Sequence, residues 1–577
     1  MNRLLFRSIR EYKKQSILTP LFVILEVLME VLIPYQMANI IDIGIQGSDL
    51  GYVIRTGIIL VVMAMLALLF GVFAGKFAAE AGAGYAKNLR HDIFYKIQDF
   101  SFKNIDHFSA SSLVTRMTTD ISNVQMAYMM TIRLMARAPI MIVLSLIMTL
   151  TINVDIAIML LISIPILGGA LIFIAKTAHK YFIQVFDEYD VLNNDVQENV
   201  NAARVVKAYV REDYENQKFR KISEKVFRLF TKAEKLVALN NPVMMLVMYT
   251  VIIIMVLISG EAIVFGNMEA GEMTSVMVYA LQILSSLMMV SFVFVMIMIA
   301  EASTDRIAEV LTEVPEMQNV EGARTEVPNG DIDFENVNFS YAGEDGKLSL
   351  KNVNLHIKSG QMIGIFGGTG SAKTTLVSLI PRLYEATEGT VSVGGRPVKD
   401  YTMEHLRDAV SVVLQKNTLF SGTIRENLLW GNPNATDEQL WEACRAACAD
   451  EFLERMPDGL DTDLGQGGVN VSGGQKQRLC IARAILKQPK VLILDDSTSA
   501  VDTATDAKIR QAFANELKDT TKIIIAQRVT SICEADLILV IDRGRIIAQG
   551  NHQELMEHCD MYREVYQSQQ EGVSIGG

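Results

Sequence analysis

Cysteine is scarce in this sequence of 577 residues, and no secretory or zinc-binding pattern accompanies it. All five cysteines lie in the C-terminal part without a disulfide-like framework, which favours a reducing compartment for that part. Cys444 and Cys448 share a helix face, but no second His or Cys pair follows at zinc spacing, so no zinc site is predicted.

Basic charge is not in excess either, since the net charge is −12. Residues 1–312 are balanced, with 27 Lys+Arg and 27 Asp+Glu, whereas residues 313–577 hold 26 against 38. An acidic C-terminal part argues against nucleic-acid binding, which requires a basic face. The basic N-terminal segment runs into an apolar stretch too long for a signal peptide and lacks a small-residue cleavage site. It predicts an uncleaved first membrane span.

Long apolar runs dominate the first 300 residues. Six of them are long enough to cross about 30 Å of hydrocarbon at about 1.5 Å per residue. The predicted spans are residues 17–41, 54–80, 134–152, 155–176, 243–265 and 275–300. Lys and Arg concentrate in the N-terminal segment and in residues 85–133 and 176–240, so the positive-inside rule puts both termini in the cytoplasm. The sequence therefore predicts a multi-pass protein of the cell membrane, embedded in the lipid bilayer.

The connections after the second and fourth spans are long, polar and helix-patterned, without Pro or Gly breaks. We expect these spans to continue as helices into the cytosol. We also expect exposed turns that dock on another domain, at residues 108–125 and 197–215.

Glu26 and Glu30 lie one helical turn apart inside the first predicted span, where an unpaired charge is costly. One interpretation is an ion pair with an arginine such as Arg133 or Arg137. The other is a hydrated cavity that attracts a cationic substrate, and the 30 methionines would suit an adaptable pocket.

From Asp331 onward, short β-like runs lead to a phosphate-binding loop between an apolar strand and an apolar helix. Its backbone N–H groups and Lys373 would hold phosphate oxygens, and Thr374 would ligate Mg²⁺. The predicted nucleotide-binding residues of the loop are Gly367, Gly368, Thr369, Gly370, Ser371, Ala372, Lys373, Thr374 and Thr375. Ala372 replaces the last motif glycine, and its methyl either crowds the nucleotide or is tolerated if the backbone stays helical.

The apolar run VLILDD (491–496) predicts a strand that ends in Asp495, which would hold Mg²⁺ through water beside Thr374. VSGGQKQR (471–478) predicts a turn that opens a helix, with N–H groups exposed as a second anion site. Because one domain has one γ-phosphate to bind, this second site would serve a nucleotide held mainly by another chain.

These motifs together resemble a half-transporter of the ATP-binding cassette exporters. The resemblance implies a multidomain membrane protein: an all-α six-helix transmembrane domain of the type I exporter (type IV ABC) fold over residues 1–312, a linker over 313–330, and an α/β P-loop nucleotide-binding domain over 331–577. It implies ATP and Mg²⁺ as cofactors, with Tyr341 stacking on adenine and Gln415 as the lid glutamine and Mg²⁺ ligand. It also implies a signature motif of Ser472, Gly473, Gly474 and Gln475, a dimer-contact loop at 499–502, and a segment at 462–468 that touches the coupling helices.

Two departures from that family pattern stand out. Asp496 replaces the usual catalytic glutamate and Gln527 the usual switch histidine, which resembles the degenerate-site subunit of heterodimeric multidrug exporters. The expected partner is a second half-transporter. We expect the assembled dimer to be an ATPase and the isolated chain to have weak ATPase activity. The expected substrate is a small amphipathic compound that is moved out of the cytoplasm. Lipid or peptide export, siderophore import by an exporter-shaped protein, and a nucleotide-gated regulatory role without transport remain alternatives.

Overall fold

The computed structural model describes residues 5–343, 346–496 and 502–574. The chain forms two compact units. The first comprises Met1–Asp99 and Phe108–Glu313, and the second comprises Phe100–His107 and Val314–Gly577.

The first unit is helical, and within the described residues six of its helical stretches are long and apolar enough to cross a membrane. The prediction of six spans is thus confirmed. A 3₁₀ segment (Leu5–Tyr12) and π-helical turns (Ile40–Ile45, Arg116–Asp120, Thr131–Met135) extend or interrupt the α-helices. The described α-helices up to residue 312 include α3, which lies almost entirely in the second unit. They are α1 (Lys13–Asn39), α2 (Leu50–Gln98), α3 (Phe102–Phe108), α4 (Ala110–Thr115), α5 (Ile121–Met130), α6 (Ala136–Ile152), α7 (Val154–Asn201), α8 (Ala203–Ala208), α9 (Glu212–Ala238), α10 (Asn240–Val264) and α11 (Ala270–Thr312).

The second and fourth spans extend far beyond a bilayer's thickness, as predicted. Helices α2 and α7 contain 49 and 48 residues. At about 1.5 Å per residue each is on the order of 70 Å long, more than twice the hydrocarbon thickness.

The stretch at residues 108–125, predicted to be an exposed docking turn, is exposed over much of 109–119, and its docking on another domain stays a prediction. The segment packed with the second unit is residues 100–107, whereas the following residues form helical segments that continue into the third span. Asp120, near the end of this stretch, is instead fully buried, accepting hydrogen bonds from Ser303 (2.9 Å) and the Arg306 Nε (2.8 Å). This side chain therefore pairs with α11, whereas Ser111, Thr115 and Thr118 are exposed.

The turn at residues 197–215 is exposed, as predicted. Helix α7 ends at Asn201, the short α8 follows, and α9 begins at Glu212. Apolar side chains cover the tip, and Val210 is 80 % exposed. Docking of this tip on another domain stays a prediction.

Glu26 and Glu30 pair with an arginine, which confirms the first of their two interpretations. One Arg137 nitrogen donates to Glu26 Oε1 at 2.5 Å, and the other donates to the two Glu30 oxygens at 2.8 and 2.6 Å.

Within its described residues, the second unit contains three β-sheets. An antiparallel sheet has the order β2-β1-β4-β5, a mainly parallel sheet has the order β12-β11-β3-β10-β9-β6, and β7 pairs with β8. The strands are β1 (Ile332–Phe339), β2 (Leu350–Ile357), β3 (Met362–Phe366), β4 (Glu388–Val393), β5 (Arg396–Pro397), β6 (Val410–Val413), β7 (Gly422–Thr423), β8 (Asp463–Leu464), β9 (Val491–Asp495), β10 (Thr521–Ile525), β11 (Leu537–Asp542) and β12 (Arg545–Gly550). The helices are α12 (Lys373–Ser378), α13 (Met403–Ala409), α14 (Ile424–Leu429), α15 (Asp437–Ala446), α16 (Asp450–Leu453), α17 (Gly473–Leu486), α18 (Thr503–Glu516), α19 (His552–His558) and α20 (Asp560–Ser574).

The parallel sheet forms the core that positions the site. Strands β9 and β10 are buried at every residue, and separate hydrophobic clusters cover the two faces of the sheet. Such nearly continuous apolar strands are typical of a parallel sheet with both faces covered. Strands β3, β10, β9 and β6 are neighbours and run in the same direction, so the loops after their carboxyl ends meet at one edge.

Candidate nucleotide-binding site

The loops after those four strands bring the predicted catalytic and phosphate-binding residues together. The phosphate loop follows β3, Gln527 comes shortly after β10, Asp495 ends β9, and Gln415 comes shortly after β6. They line one cavity of about 910 Å³, together with Tyr341 and Arg543. A cavity of this volume accommodates a nucleotide-sized ligand.

The phosphate loop places Lys373 at the start of α12. Its ammonium donates to the carbonyl oxygens of Gly367 and Gly368, both at 2.8 Å, and burial lowers its pKa. A Cβ atom at Gly368 would meet nothing within 4 Å, so the loop surface at that position is open. The loop thus fits a phosphate group: it leaves open space at Gly368, and the lysine can exchange carbonyl oxygens for phosphate oxygens.

Ala372 has a left-handed backbone, with φ 78° and ψ 27°. The condition under which its methyl would be tolerated, a right-handed helical backbone, is therefore not met. The helix begins one residue later, at Lys373. Left-handed geometry costs a residue with a Cβ atom about 1–2 kcal/mol, so Ala372 introduces strain where glycine would not.

Thr374 and Asp495 meet as the Mg²⁺ prediction requires. The Thr374 hydroxyl donates to Asp495 Oδ1 at 3.1 Å. Asp495 is buried, and that burial raises the pKa of its carboxyl group. A hydroxyl and a carboxylate side by side are hard oxygen donors of the kind that Mg²⁺ prefers.

Asp496 lies beside Asp495 and is held by two amides. The Gln527 Nε2 donates to Asp496 Oδ2 at 2.7 Å, and Gln415 also hydrogen-bonds the Asp496 side chain. Burial raises the pKa of Asp496, while these hydrogen bonds and the Lys373 charge act in the opposite direction. The three predicted catalytic positions therefore form one hydrogen-bonded group.

Tyr341 is half-exposed at the edge of the cavity, where its hydroxyl lies 3.1 Å from the Thr375 hydroxyl oxygen. Its ring is 5.1 Å from that of Tyr384 in an edge-on arrangement. The Tyr384 hydroxyl donates to Asp106 at 2.7 Å, which ties the segment at residues 100–107 to the tyrosine pair.

The signature residues lie elsewhere in the second unit. Ser472 caps α17 through a reciprocal capping box with Gln475, and Gly473 begins the helix. No signature residue is among the described residues that line the nucleotide cavity. The predicted dimer-contact loop at 499–502 lies outside the described residues except for Asp502, which caps α18.

Tyr384 and Arg543 were not predicted as site residues. Tyr384 follows α12 in a stretch that reads only as an apolar helix, so its sequence carries no signal of a link to Asp106. Arg543 lines the cavity from the turn between β11 and β12, and the Asp-Arg-Gly turn was the available signal.

Comparison with known proteins identifies the class. The profile of the ABC transporter transmembrane region matches residues 16–287, and that of the ABC transporter domain matches residues 350–499. The chain has the fold of an ABC exporter: it superposes on a bacterial Atm1-family ABC exporter with ATP bound, with a TM-score of 0.84 over 97 % of this chain and 98 % of that one, at 21 % identity.

Sequence relatives establish the family. An uncharacterized ABC transporter ATP-binding protein of Bacillus subtilis, YfiB, is 37 % identical over 96 % of this chain and 97 % of its own length. An ATP-dependent lipid A-core flippase of Desulfotalea psychrophila is 30 % identical over 85 % of each chain. The chain belongs to the ABC transporter family and is a multi-pass membrane protein with an ATP-binding domain.

Proposed function

We propose that this chain is one subunit of a heterodimeric ABC exporter and that its own ATP site hydrolyses slowly. The observation that supports this most directly is the hydrogen bond from Gln527 to Asp496, 2.7 Å long, at the two positions where the family carries its catalytic glutamate and switch histidine. Both replacements lie in one site and contact each other.

The two replacements affect the groups that would position the attacking water. A catalytic carboxylate must reach that water and hold it in line with the γ-phosphate. Asp496 is one methylene shorter than glutamate, and one of its oxygens already accepts a hydrogen bond from Gln527. An amide also cannot exchange a proton near neutral pH as an imidazole can. Both changes reduce hydrolysis without removing the groups that bind phosphate.

Nucleotide binding would rely on groups that are intact. Lys373 and the loop N–H groups would hold the phosphates, Tyr341 the base, and Thr374, Asp495 and Gln415 a Mg²⁺ ion that neutralises charge on the phosphate oxygens. Ser472, Gly473, Gly474 and Gln475 would complete the site of the partner chain. Retained ATP in this chain's site would hold the two cassettes together while the partner's site turns over.

The transport model assigns residues 1–312 to the transmembrane domain, 313–330 to the linker and 331–577 to the cytoplasmic cassette, with both termini in the cytoplasm. Closure of the cassettes would be transmitted through residues 100–107 and the exposed turn at 197–215 to the six spans. The substrate would be an amphipathic compound moved out of the cell.

Restoring the two family residues tests the degenerate site. We expect the purified chain to bind ATP but hydrolyse it slowly. The double variant D496E/Q527H should hydrolyse ATP at least about tenfold faster, because one positioned acid–base group increases the rate by a factor on the order of 10²–10⁴. The same variant with Lys373→Ala controls for contaminating ATPases. Robust, Lys373-dependent hydrolysis by the unaltered chain alone would contradict the proposal.

Lipid export is a second candidate, favoured by the relative described as a lipid A-core flippase. Inside-out vesicles that contain the chain and its partner separate the candidates. Uptake of a soluble amphipathic dye supports the first, whereas ATP-dependent movement of a labelled lipid between leaflets without dye uptake supports the second. Loss of dye from the vesicle lumen would indicate import.

A further inference from the structure

The helix α20 contacts the nucleotide cavity with its first turns. Met561 and Val565 line the cavity. Tyr562 is fully buried, and its hydroxyl lies 2.8 Å from His552 Nδ1. Its ring centroid is 5.8 Å from that of Phe366, the last residue of β3. The beginning of α20 is therefore fixed against the strand that leads into the phosphate loop.

Gln569 lies two turns beyond Tyr562 on the same face of α20. Its Nε2 donates to the Gln527 carbonyl oxygen at 3.0 Å, and its Oε1 accepts from the Val529 N–H at 2.9 Å. Arg528, between those two residues, has an extended backbone, with φ −94° and ψ 122°. The side-chain amide, which has both a donor and an acceptor, therefore bridges the loop after β10 as a residue of a neighbouring strand would.

The bridge holds the residue whose side chain reaches Asp496. The Gln527 Nε2 donates to Asp496 Oδ2 at 2.7 Å. Asp496 adjoins Asp495, which with Thr374 forms the candidate Mg²⁺ pair, and Mg²⁺ bridges the two terminal phosphates of a nucleotide. The Gln527 amide thus lies at the end of the cavity where the terminal phosphate would bind. Any displacement of the loop backbone would move this amide relative to that phosphate.

We propose that Gln569 is a positioning residue of the nucleotide site. Its amide fixes the backbone on both sides of Arg528 and thereby places the Gln527 side chain. Gln569 is not among the described residues that line the cavity, so it acts through Gln527. The inference rests on the proposed function for the ligand, ATP, and it adds the far end of α20 to the groups that arrange the site.

The affinities of the full chain in lipid nanodiscs for MgATP and MgADP test the proposal. Gln569→Ala should weaken ATP binding by about threefold or more and leave ADP binding unchanged, because ATP alone carries the phosphate that the Gln527 amide would face. Gln569→Glu keeps the acceptor for the Val529 N–H but loses the donor to the Gln527 carbonyl, so it should lower the preference for ATP as well. Alanine and glutamate both favour helix, so α20 should remain folded in each variant.

Hydrogen exchange in residues 526–532 separates the two contacts. Gln569→Ala should speed the exchange of the Val529 amide, whereas Gln569→Glu should leave that amide protected. Gln570→Ala is the matched control, since Gln570 is exposed and donates to the Tyr566 hydroxyl at 3.3 Å. It should change neither the exchange nor the ratio of the ATP and ADP affinities.

An equal loss of ATP and ADP affinity in the Gln569 variants would show a merely structural role and overturn the proposal. An unchanged affinity ratio in Gln569→Ala, or an unchanged protection of the Val529 amide in that variant, overturns it too. Neither measurement requires hydrolysis. The slow-hydrolysis proposal can therefore fail in its own ATPase test while the role of Gln569 stands, and the reverse also holds.

Discussion

Ala372 combines a methyl group with a backbone that favours glycine. Its φ of 78° equals that of Gly370 two residues earlier. We expect Ala372→Gly to stabilise the nucleotide-free chain by about 1 kcal/mol. A left-handed backbone costs a residue with a Cβ atom about 1–2 kcal/mol, and glycine has no comparable cost. The larger conformational entropy of glycine in the unfolded chain offsets part of this gain. Thermal unfolding and the Kd for ATP measure the effect, and both stability and affinity should rise.

The control for this prediction is Ala507→Gly, at an exposed position in the interior of α18. There the backbone is right-handed, so glycine should destabilise the chain by about 1 kcal/mol. The two substitutions are chemically identical and should have opposite signs. Destabilisation in both would show that the strain at Ala372 is not significant in solution.

Asp495 predicts a pH-dependent stability. Burial raises the pKa of its carboxyl group, so the folded chain binds that proton more tightly than the unfolded chain. The ionised form therefore costs stability above the raised pKa, and the cost disappears as the pH falls toward the ordinary aspartate value of about 3.9. Asp495→Asn, measured in EDTA without nucleotide, should raise Tm at pH 8, and the gain should shrink toward pH 5.

Asp461 supplies the contrast for the pH experiment. Its hydrogen bond from Arg425 lowers the pKa of this carboxyl group. Asp461→Asn should therefore not raise Tm at pH 8. A gain from Asp495→Asn that stays constant from pH 5 to pH 8 would rule out ionisation as its cause.

Among the elements, the segment at residues 100–107 contacts the rest of the second unit through polar groups and through the Phe102 ring, which lies 6.1 Å from the Tyr384 ring. Tyr384 donates to Asp106, and the Asn104 amide donates to the Val314 carbonyl at 3.4 Å. A neutral donor on a carboxylate contributes about 1.5–3 kcal/mol when buried and less when exposed, as this one is. We expect Tyr384→Phe and Asp106→Ala each to destabilise the second unit by about 1 kcal/mol.

A double-mutant cycle of those two changes should give a coupling energy of about 1 kcal/mol in thermal unfolding. Tyr401→Phe is the control, because its hydroxyl donates to Val393 in the core and not to the segment. It should show no coupling with Asp106→Ala. Additive effects of Tyr384→Phe and Asp106→Ala would show that the contact does not hold the segment.

The sequence predicted those helices and loops that a long apolar run or a fixed motif specifies. Apolar runs gave six spans, and the strand–loop–helix order gave the phosphate loop. Features set by tertiary contacts were not predictable: Asp120 looks like a surface residue until Arg306 and Ser303 are seen around it. The left-handed backbone of Ala372 was likewise hidden, because alanine itself favours a right-handed helix.

On the scale of the whole molecule, the described geometry separates two roles within one cassette. The cavity gathers the phosphate loop, Asp495, Asp496 and Gln527, whereas the signature begins a different helix and lines none of the described cavity wall. In the proposed pair, a site completed by a second chain would make each cassette contribute to two nucleotides. Defects in the cavity and defects in the signature should therefore affect different sites of the assembled pair.

Ser472 provides the sharpest test of that division. Its side chain accepts from the Gln475 N–H and caps α17, so Ser472→Arg removes the cap and puts a bulky cation where the signature would contact the partner's nucleotide. In the assembled pair we expect ATP turnover to fall at least about tenfold, since catalysis depends on placement of transition-state contacts. Asp496→Asn should change turnover by less than about threefold, because under the proposed function its site already hydrolyses slowly. Gel filtration of both variants with the partner controls for lost assembly, and equal loss of ATPase activity in two intact complexes would contradict the assignment of the sites.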